Sequence, residues 1–260
     1  MGVSYRCLRA RAQSRHINLQ LVSDIFVSHE HSDHVYGLPV FCRHTNAIVH
    51  MTHGTRRGLR SKYTPPTQNI KLFSAGEVIS LPPFTIHSFA KPHDVVEPCS
   101  FRIEVAGLNI GVFTDIGMPT DELKHHLSLC HLAFLEANYD EQMLINGPYT
   151  RELKQRISGG HGHLSNVQSA QIVRQLVAVL ADELPLHTIL LSHISQDNNT
   201  PQIALKEFAD IAKSKKIMVM SRSEASPVFL LSTTQSTEEP PFYEIPERLD
   251  RPAYQFKFNF

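Results

Sequence analysis

The chain has 260 residues, enough for one large domain, and its 42% hydrophobic and 19% charged content excludes a disordered polyelectrolyte. Twenty-five basic side chains balance twenty-five acidic ones, so no whole-molecule field steers the chain to nucleic acid or an anionic membrane, and a polyanion must be gripped locally. Sixteen histidines in a chain without tryptophan stand out, and imidazole in excess points to metal.

In chain order, residues 1–15 carry Arg6, Arg9, Arg11 and Arg15 and predict a short basic helix. Residues 24–28 read as a buried strand that runs into the polar stretch 29–34. Arg56, Arg57, Arg60 and Lys62 form a basic run that reads as a solvated helix face or as a contact to a nucleic-acid backbone. Segments 47–50, 85–90, 100–105 and 108–114 are β-branched, aromatic or aliphatic between Gly, Pro and Asn, and predict strands. Thr120, followed by Asp121 and Glu122, opens a helix to residue 128, because a cap oxygen and early acids suit the free N–H groups there. A strand over 131–135 follows.

Ser165 and Gln168 fit a capping box for a helix over 166–181, the most regular apolar spacing in the chain. A strand over 186–191, a helix from Thr200-Pro201 to residue 213, and strands over 217–220 and 228–231 close a domain spanning 1–231. Residues 232–260, rich in Ser, Thr, Glu and Pro, read as a tail. Cys7, Cys42, Cys99 and Cys130 form no Cys-x-x-Cys pair, so they read as small buried hydrophobes of a cytoplasmic protein. No apolar run reaches ~18 residues and the first residues lack the apolar core of a signal peptide, so neither a membrane span nor export is expected.

The densest chemistry is His29-Glu30-His31-Ser32-Asp33-His34, directly after a predicted strand. Three imidazoles and a carboxylate on one loop can converge on borderline cations, which prefer these ligands. Later predicted strand ends carry His93-Asp94, Asp115 and His193. His125, His126 and His131 surround a helix end and read as surface or structural groups, and Ser192 has no Gly-x-Ser-x-Gly elbow around it to make it a nucleophile.

This pattern resembles the metallo-β-lactamase-fold hydrolases, with His29, His31, Asp33 and His34 on their His-x-His-x-Asp-His motif and His93, Asp115 and His193 on their three later ligand positions. The resemblance implies an α/β fold, an αββα sandwich with the site at the sheet edge, and two divalent ions, Zn or Mn. His29, His31 and His93 would hold the first, Asp33, His34 and His193 the second, and Asp115 would bridge them. A closer resemblance, over roughly residues 3–231, is to the YycJ/WalJ-like branch, which is DNA exonuclease-like. It is carried by residues 29–38 (HEHSDHVYGL), His93-Asp94, Thr114-Asp115-Ile116-Gly117, Glu136-Ala137-Asn138, Gly147-Pro148-Tyr149, residues 162–166 (GHLSN) and Leu191-Ser192-His193.

Two departures stand out. Members of that branch begin with two further strands, the second ending in Leu-x-Asp-x-Gly, and Val3-Ser4-Tyr5 falls where that strand should have ended. The resemblance thus implies a sandwich lacking its first two strands, lower stability, and a start upstream of Met1. Tyr139 stands where many relatives carry His, so no extra imidazole is expected there.

The implied ligand set predicts a dinuclear phosphodiesterase, a DNA exonuclease in this branch, in which a water bridging two ions about 3.5–4 Å apart becomes hydroxide near neutral pH. Asp33 would bind metal and hold that hydroxide's proton. His163, just before a predicted helix N-terminus, is a candidate phosphate contact or general acid, with His161 a weaker one. Glu136 and Asn138 suit an orienting role toward a ligand or the His163 loop. The alternative is a hydrolase of the same fold for a small cyclic phosphodiester, lactone or thioester, which the neutral net charge favours.

Overall fold

Two β-sheets of unequal size carry the architecture of the computed structural model, which describes residues 2–229 and residue 231. The chain runs through α1 (Tyr5–Gln13), β1 (Asp24–Phe26), α2 (Ser32–Val35), α3 (Leu38–His44), β2 (Ile48–Thr52), α4 (His53–Gly58) and β3 (Ile70–Phe73). Next come β4 (Val78–Leu81), β5 (Phe84–Ala90), β6 (Cys99–Val105), β7 (Leu108–Phe113), α5 (Asp121–Ser128) and β8 (Leu132–Glu136). The last elements are α6 (Glu141–Asn146), α7 (Arg151–Ser158), α8 (Asn166–Leu180), β9 (Thr188–Ser192), α9 (Pro201–Glu207) and β10 (Lys216–Val219).

The smaller sheet is all parallel in the order β1-β2-β3, and the larger has the order β10-β9-β8-β7-β6-β5-β4. In the larger sheet β4 to β7 pair antiparallel and β7 to β10 parallel. Side-chain alternation assembles the layers. From β2, Val49 and Met51 pack with Leu38 and Cys42 of α3 on one face, while His50 stacks on Phe26 on the other. Phe26 and Phe73 meet Ile86 and Phe101 of the larger sheet, which closes the space between the sheets. On the far face of that sheet, Phe113, Ala133, Leu135, Ile189 and Leu191 pack against Leu123 of α5, Ile172 and Val173 of α8 and Ala204 of α9. Helices therefore flank both sheets, the expected αββα order. β8 and β9 are buried throughout, as parallel strands covered on both faces must be.

Each predicted strand up to residue 135 is present, and the capping box at Ser165 forms with Gln168 as expected. Three expectations are corrected. Val228 and Phe229 lie in no strand; Phe229 and Leu231 pack against Leu132, Phe134 and Leu190 without ladder pairing, and Leu230 lies outside the described residues. The predicted helix over 201–213 stops at Glu207 and resumes as a single tight turn, Ile211–Lys213. The predicted strand over 186–191 begins only at Thr188. The expected tail at 232–260 falls outside the described residues. All four cysteines are free; Cys42, Cys99 and Cys130 are buried as expected, whereas Cys7 is only partly buried.

Phe113 is fully buried at the centre of the largest core cluster, against Phe89 at a ring separation of 5.6 Å. Replacing it with Ala is expected to remove about 3–5 kcal/mol of unfolding free energy, read as a lower urea midpoint with an unchanged slope.

Candidate metal centre

β5, β7, β8 and β9 run in one direction, so their C-terminal ends open on one edge of the larger sheet, where the loop after β1 meets them. All the candidate ligands follow strand ends: His29 to His34 after β1, His93 after β5, Asp115 after β7 and His193 after β9. Asp115 and His193 adopt left-handed backbone, at φ 58° and 57°. Such conformations cost of order 1–3 kcal/mol and persist where surrounding structure enforces them, commonly at functional sites.

The seven residues meet. Ligand-capable atoms of His29, His31 and His93 lie within 4.8 Å of one another, as do those of His29, His34 and Asp115, and those of Asp33, His34 and His193. Asp115 is common ground: its Oδ1 lies 3.4 Å from His193 Nε2 and 3.9 Å from His93 Nε2, and its Oδ2 lies 3.4 Å from His34 Nε2. Two polar atoms at the centre, His29 Nε2 and Asp115 Oδ2, are buried with no hydrogen-bond partner among the described residues. A buried orphan of this kind costs about 1–3 kcal/mol, and two of them on facing ligand-type side chains fit a site built for cations.

Supporting bonds fix the imidazoles. His93 Nδ1–H donates to the Gly162 carbonyl at 3.1 Å, which turns Nε2 toward the cluster. Ser28 Oγ sits 3.0 Å from His29 Nδ1 and 3.4 Å from His34 Nδ1. His193 Nδ1–H and His163 Nδ1–H both donate to Glu136 Oε1, each at 2.8 Å. The other Glu136 oxygen accepts from the backbone N–H of Ile116 at 2.8 Å and of Leu164 at 3.3 Å, so this carboxylate orients imidazoles rather than offering itself to an ion. Asn138 Nδ2 donates to the His193 carbonyl at 2.7 Å. The orienting role expected for Glu136 and Asn138 thus has a geometric basis.

The electrostatics agree. Burial pushes the His29 and His93 imidazolium forms down, His93 to about 4, leaving both as the neutral base that coordinates metal. Burial opposes ionisation of Asp115, yet His193 and His34 hold it well below the usual carboxylate range. Burial would also lower His193, but the Asp115 and Glu136 carboxylates raise it to about 9. Negative charge that stabilises a proton there will equally stabilise a cation. Burial would raise Glu136, and the neighbouring His163 charge and the two imidazole hydrogen bonds bring it down to about 2.

One group, Lys91, went unread in the sequence, and two others, Asp94 and Gly117, stood in motifs without a role of their own. Lys91 is buried and its Nζ donates to the Thr114 carbonyl at 2.6 Å, tying down the turn that aims Asp115. Asp94 lies 3.6 Å from both His31 Nε2 and His93 Nε2, and Arg156 Nε holds it at 2.5 Å. Gly117 is a close-approach glycine, since a Cβ there would stand 2.4 Å from the Gly160 carbonyl, where the loop bearing His163 crosses. Tyr139, in contrast, is buried and its backbone bridges Ser165, so it belongs to the framework. His126 stacks on Phe89 at 4.2 Å, a structural histidine as expected.

Above the cluster lies a cleft of about 910 Å³ lined by Asp33, Arg60, Asp94, Arg156, His161 and His163 among others. Both of the glycine-loop histidines reach it. Glu136→Gln is expected to weaken metal retention or turnover by roughly 10–100-fold, because an amide cannot accept from both imidazoles and from the two backbone N–H groups. Metal titration of the folded variant checks this.

A family model described as the Beta-lactamase superfamily domain matches residues 4–194. Exodeoxyribonuclease YycJ of Bacillus anthracis is 29% identical over 215 residues, covering 82% of this chain and 80% of that protein. Exodeoxyribonuclease WalJ of Streptococcus pneumoniae is 30% identical over 183 residues, covering 69% of this chain and 66% of that protein. The metallo-β-lactamase fold protein YhfI from Bacillus subtilis superposes with a TM-score of 0.58 at 14% identity, over 80% of this chain and 79% of that one. Sequence and architecture agree with the convergence of histidines and aspartates at the sheet edge, and the chain belongs to the beta-lactamase superfamily as a metallo-β-lactamase-fold, metal-dependent hydrolase.

Proposed function

We propose that the protein is a dinuclear phosphodiesterase acting on DNA as an exonuclease, with His29, His31 and His93 holding one ion, Asp33, His34 and His193 a second, and Asp115 shared. The observation that carries the reading is the placement of Asp115, whose two oxygens face imidazoles of both groups while one of them has no hydrogen-bond partner among the described residues. Similarity to two exodeoxyribonucleases over most of the chain supports DNA as the substrate.

Divalent ions held there supply a water of near-neutral pKa and Lewis acidity toward a phosphoryl oxygen. The protein supplies the rest. Asp33 is exposed on the cleft side, 4.0 Å from His34 Nε2, where its free carboxylate oxygen can accept the proton of the attacking water. His163, held at Nδ1 by Glu136, keeps Nε2 for the leaving oxygen and can deliver a proton there. Arg60 and Arg156 line the same cleft and suit flanking phosphates, although Arg156 is shared with Asp94. Zn and Mn both suit this donor set. No helix among the described residues is long and apolar enough to cross a membrane.

The test is turnover of 5′-phosphorylated DNA beside a panel of cyclic phosphodiesters, lactones and thioesters, before and after chelation. DNA cleavage lost with the metal and restored with Zn or Mn is expected. Turnover of a lactone or thioester with DNA left intact would overturn the nuclease reading in favour of a small-molecule hydrolase. Asp33→Ala is expected to reduce DNA turnover to no more than a few per cent while the thermal melt is unchanged, because the side chain is in solvent and not in the core.

A further inference from the structure

Beside the cleft runs a second groove of about 470 Å³, lined by Tyr5, Arg6, Tyr36, Val40, Lys62 and Tyr63 among others. Tyr63 lines both spaces, so the groove adjoins the cleft there, and Arg60 stands on the cleft side of the junction. Its chemistry differs from the cleft's. The cleft is crowded with acids, whereas the groove is lined by two cations and, among the described residues, no acid. This is a local positive surface on a chain of zero net charge.

Tyr36 follows the metal-binding loop by two residues and is 55% exposed, although it sits between buried Val35 and Gly37. Its ring lies 6.3 Å from that of Tyr63 at 58°, and Lys62 Nζ stands 4.8 Å from the Tyr63 centroid, a cation–π distance. An open aromatic face with ammonium and guanidinium groups around it is how proteins hold unpaired nucleotides, with bases stacked on rings and phosphates on cations. A duplex cannot use such a face, because its bases are already stacked on each other.

We propose that this groove seats a single strand of the DNA substrate, with one base stacked on Tyr36 and its neighbouring phosphates on Lys62 and Arg6, the strand passing Tyr63 and Arg60 to reach the metal centre. The assignment rests on the nuclease reading for its substrate and adds the form in which that substrate is held. It gives two residues outside the centre a role in selecting unpaired over paired ends. It also gives the basic run 56–62 its second function: Arg60 and Lys62 face the strand's path.

The experiment is fluorescence anisotropy with the full chain and an uncleavable phosphorothioate oligo-dT of about 12 nucleotides, within the usual site size of stacking grooves. A hairpin duplex of the same length is the comparison. Wild type is expected to prefer the single strand. Tyr36→Ala should weaken that binding roughly 5–100-fold and Tyr36→Phe should restore it, since a ring stacks without its hydroxyl. Lys62→Ala should lower the salt slope by about 0.7, the value of one phosphate contact on a single strand. In turnover, the loss caused by Tyr36→Ala on a DNA strand should exceed the loss on bis(p-nitrophenyl) phosphate, which is too small to span both spaces.

Equal binding of duplex and single strand by wild type, no single-strand binding, or Tyr36→Ala indistinguishable from wild type would each overturn the groove assignment. So would a shift from dimer to monomer in sedimentation for Tyr36→Ala, which would make the face a contact between copies of this chain. Binding with the predicted Tyr36 dependence but no DNA cleavage would sink the nuclease reading and leave the groove assignment standing. DNA cleavage without Tyr36 dependence would do the reverse.

Discussion

Asp115→Ala is expected to release both ions and to slow turnover by roughly 10³–10⁵-fold, the scale on which two-metal charge neutralisation contributes to phosphoryl transfer. The carboxylate is 2% exposed and, among the described residues, is the only anion within salt-bridge distance of imidazoles from three separate strand ends, at His34, His93 and His193. Removing it leaves a ring of neutral or repelling imidazoles with no central charge. Ala at φ 58° also carries a backbone penalty of about 1–2 kcal/mol. Asp115→Asn separates the two effects, because Asn tolerates left-handed backbone and keeps the shape while losing the charge. Metal content by mass spectrometry, with a melt of each variant, reads the outcome. His93→Ala should instead weaken mainly the ion held by His29 and His31. A fully loaded wild type with a single tightly bound ion, or an Asp115→Ala protein that keeps both, would sink the shared-ligand assignment.

The candidate ligands were legible because they are clustered by the chain itself: three imidazoles and a carboxylate occupy six positions after one strand, and the remainder follow apolar runs. β8 and β9 were legible for the same physical reason, since strands buried on both faces read as continuous apolar segments. β3 and β4 carried no such signal. Each has four residues with a half-exposed burial pattern, and β4 is an edge strand. Phe229 and Leu231 misled in the opposite sense, being apolar because they cover the face formed by Leu132 and Leu190 and not because they extend the ladder. Lys91 reaches Thr114, and Arg156 reaches Asp94, across 23 and 62 positions of sequence, so no local pattern could pair them. Glu136 was legible as a residue with an orienting part. That one of its oxygens serves two histidines, one from the glycine loop and one after β9, depends on the register that sets Glu136 opposite Ser192.

His163→Ala is expected to slow hydrolysis of a DNA phosphodiester by roughly 10²–10⁴-fold, the usual contribution of a positioned general acid. A deoxyribose oxygen leaves as a strongly basic alkoxide unless it is protonated, whereas nitrophenolate leaves unaided, so the same substitution should cost far less on a nitrophenyl phosphate ester. The geometry supports a donor. Glu136 is a buried acceptor that fixes His163 Nδ1–H, which leaves Nε2 free to face the leaving oxygen. The ring sits 5.3 Å from that of His93 and 5.1 Å from that of His193, beside the centre, with its side chain 21% exposed to the cleft. Equal loss on both esters would assign His163 to phosphate binding or to holding the loop instead. Glu136→Gln provides the cross-check, because Glu136 touches both His163 and His193. If His163 is the acid, part of the Glu136→Gln defect should depend on the leaving group and vanish in the His163→Ala background. The part that acts through His193 should persist there as weakened metal retention.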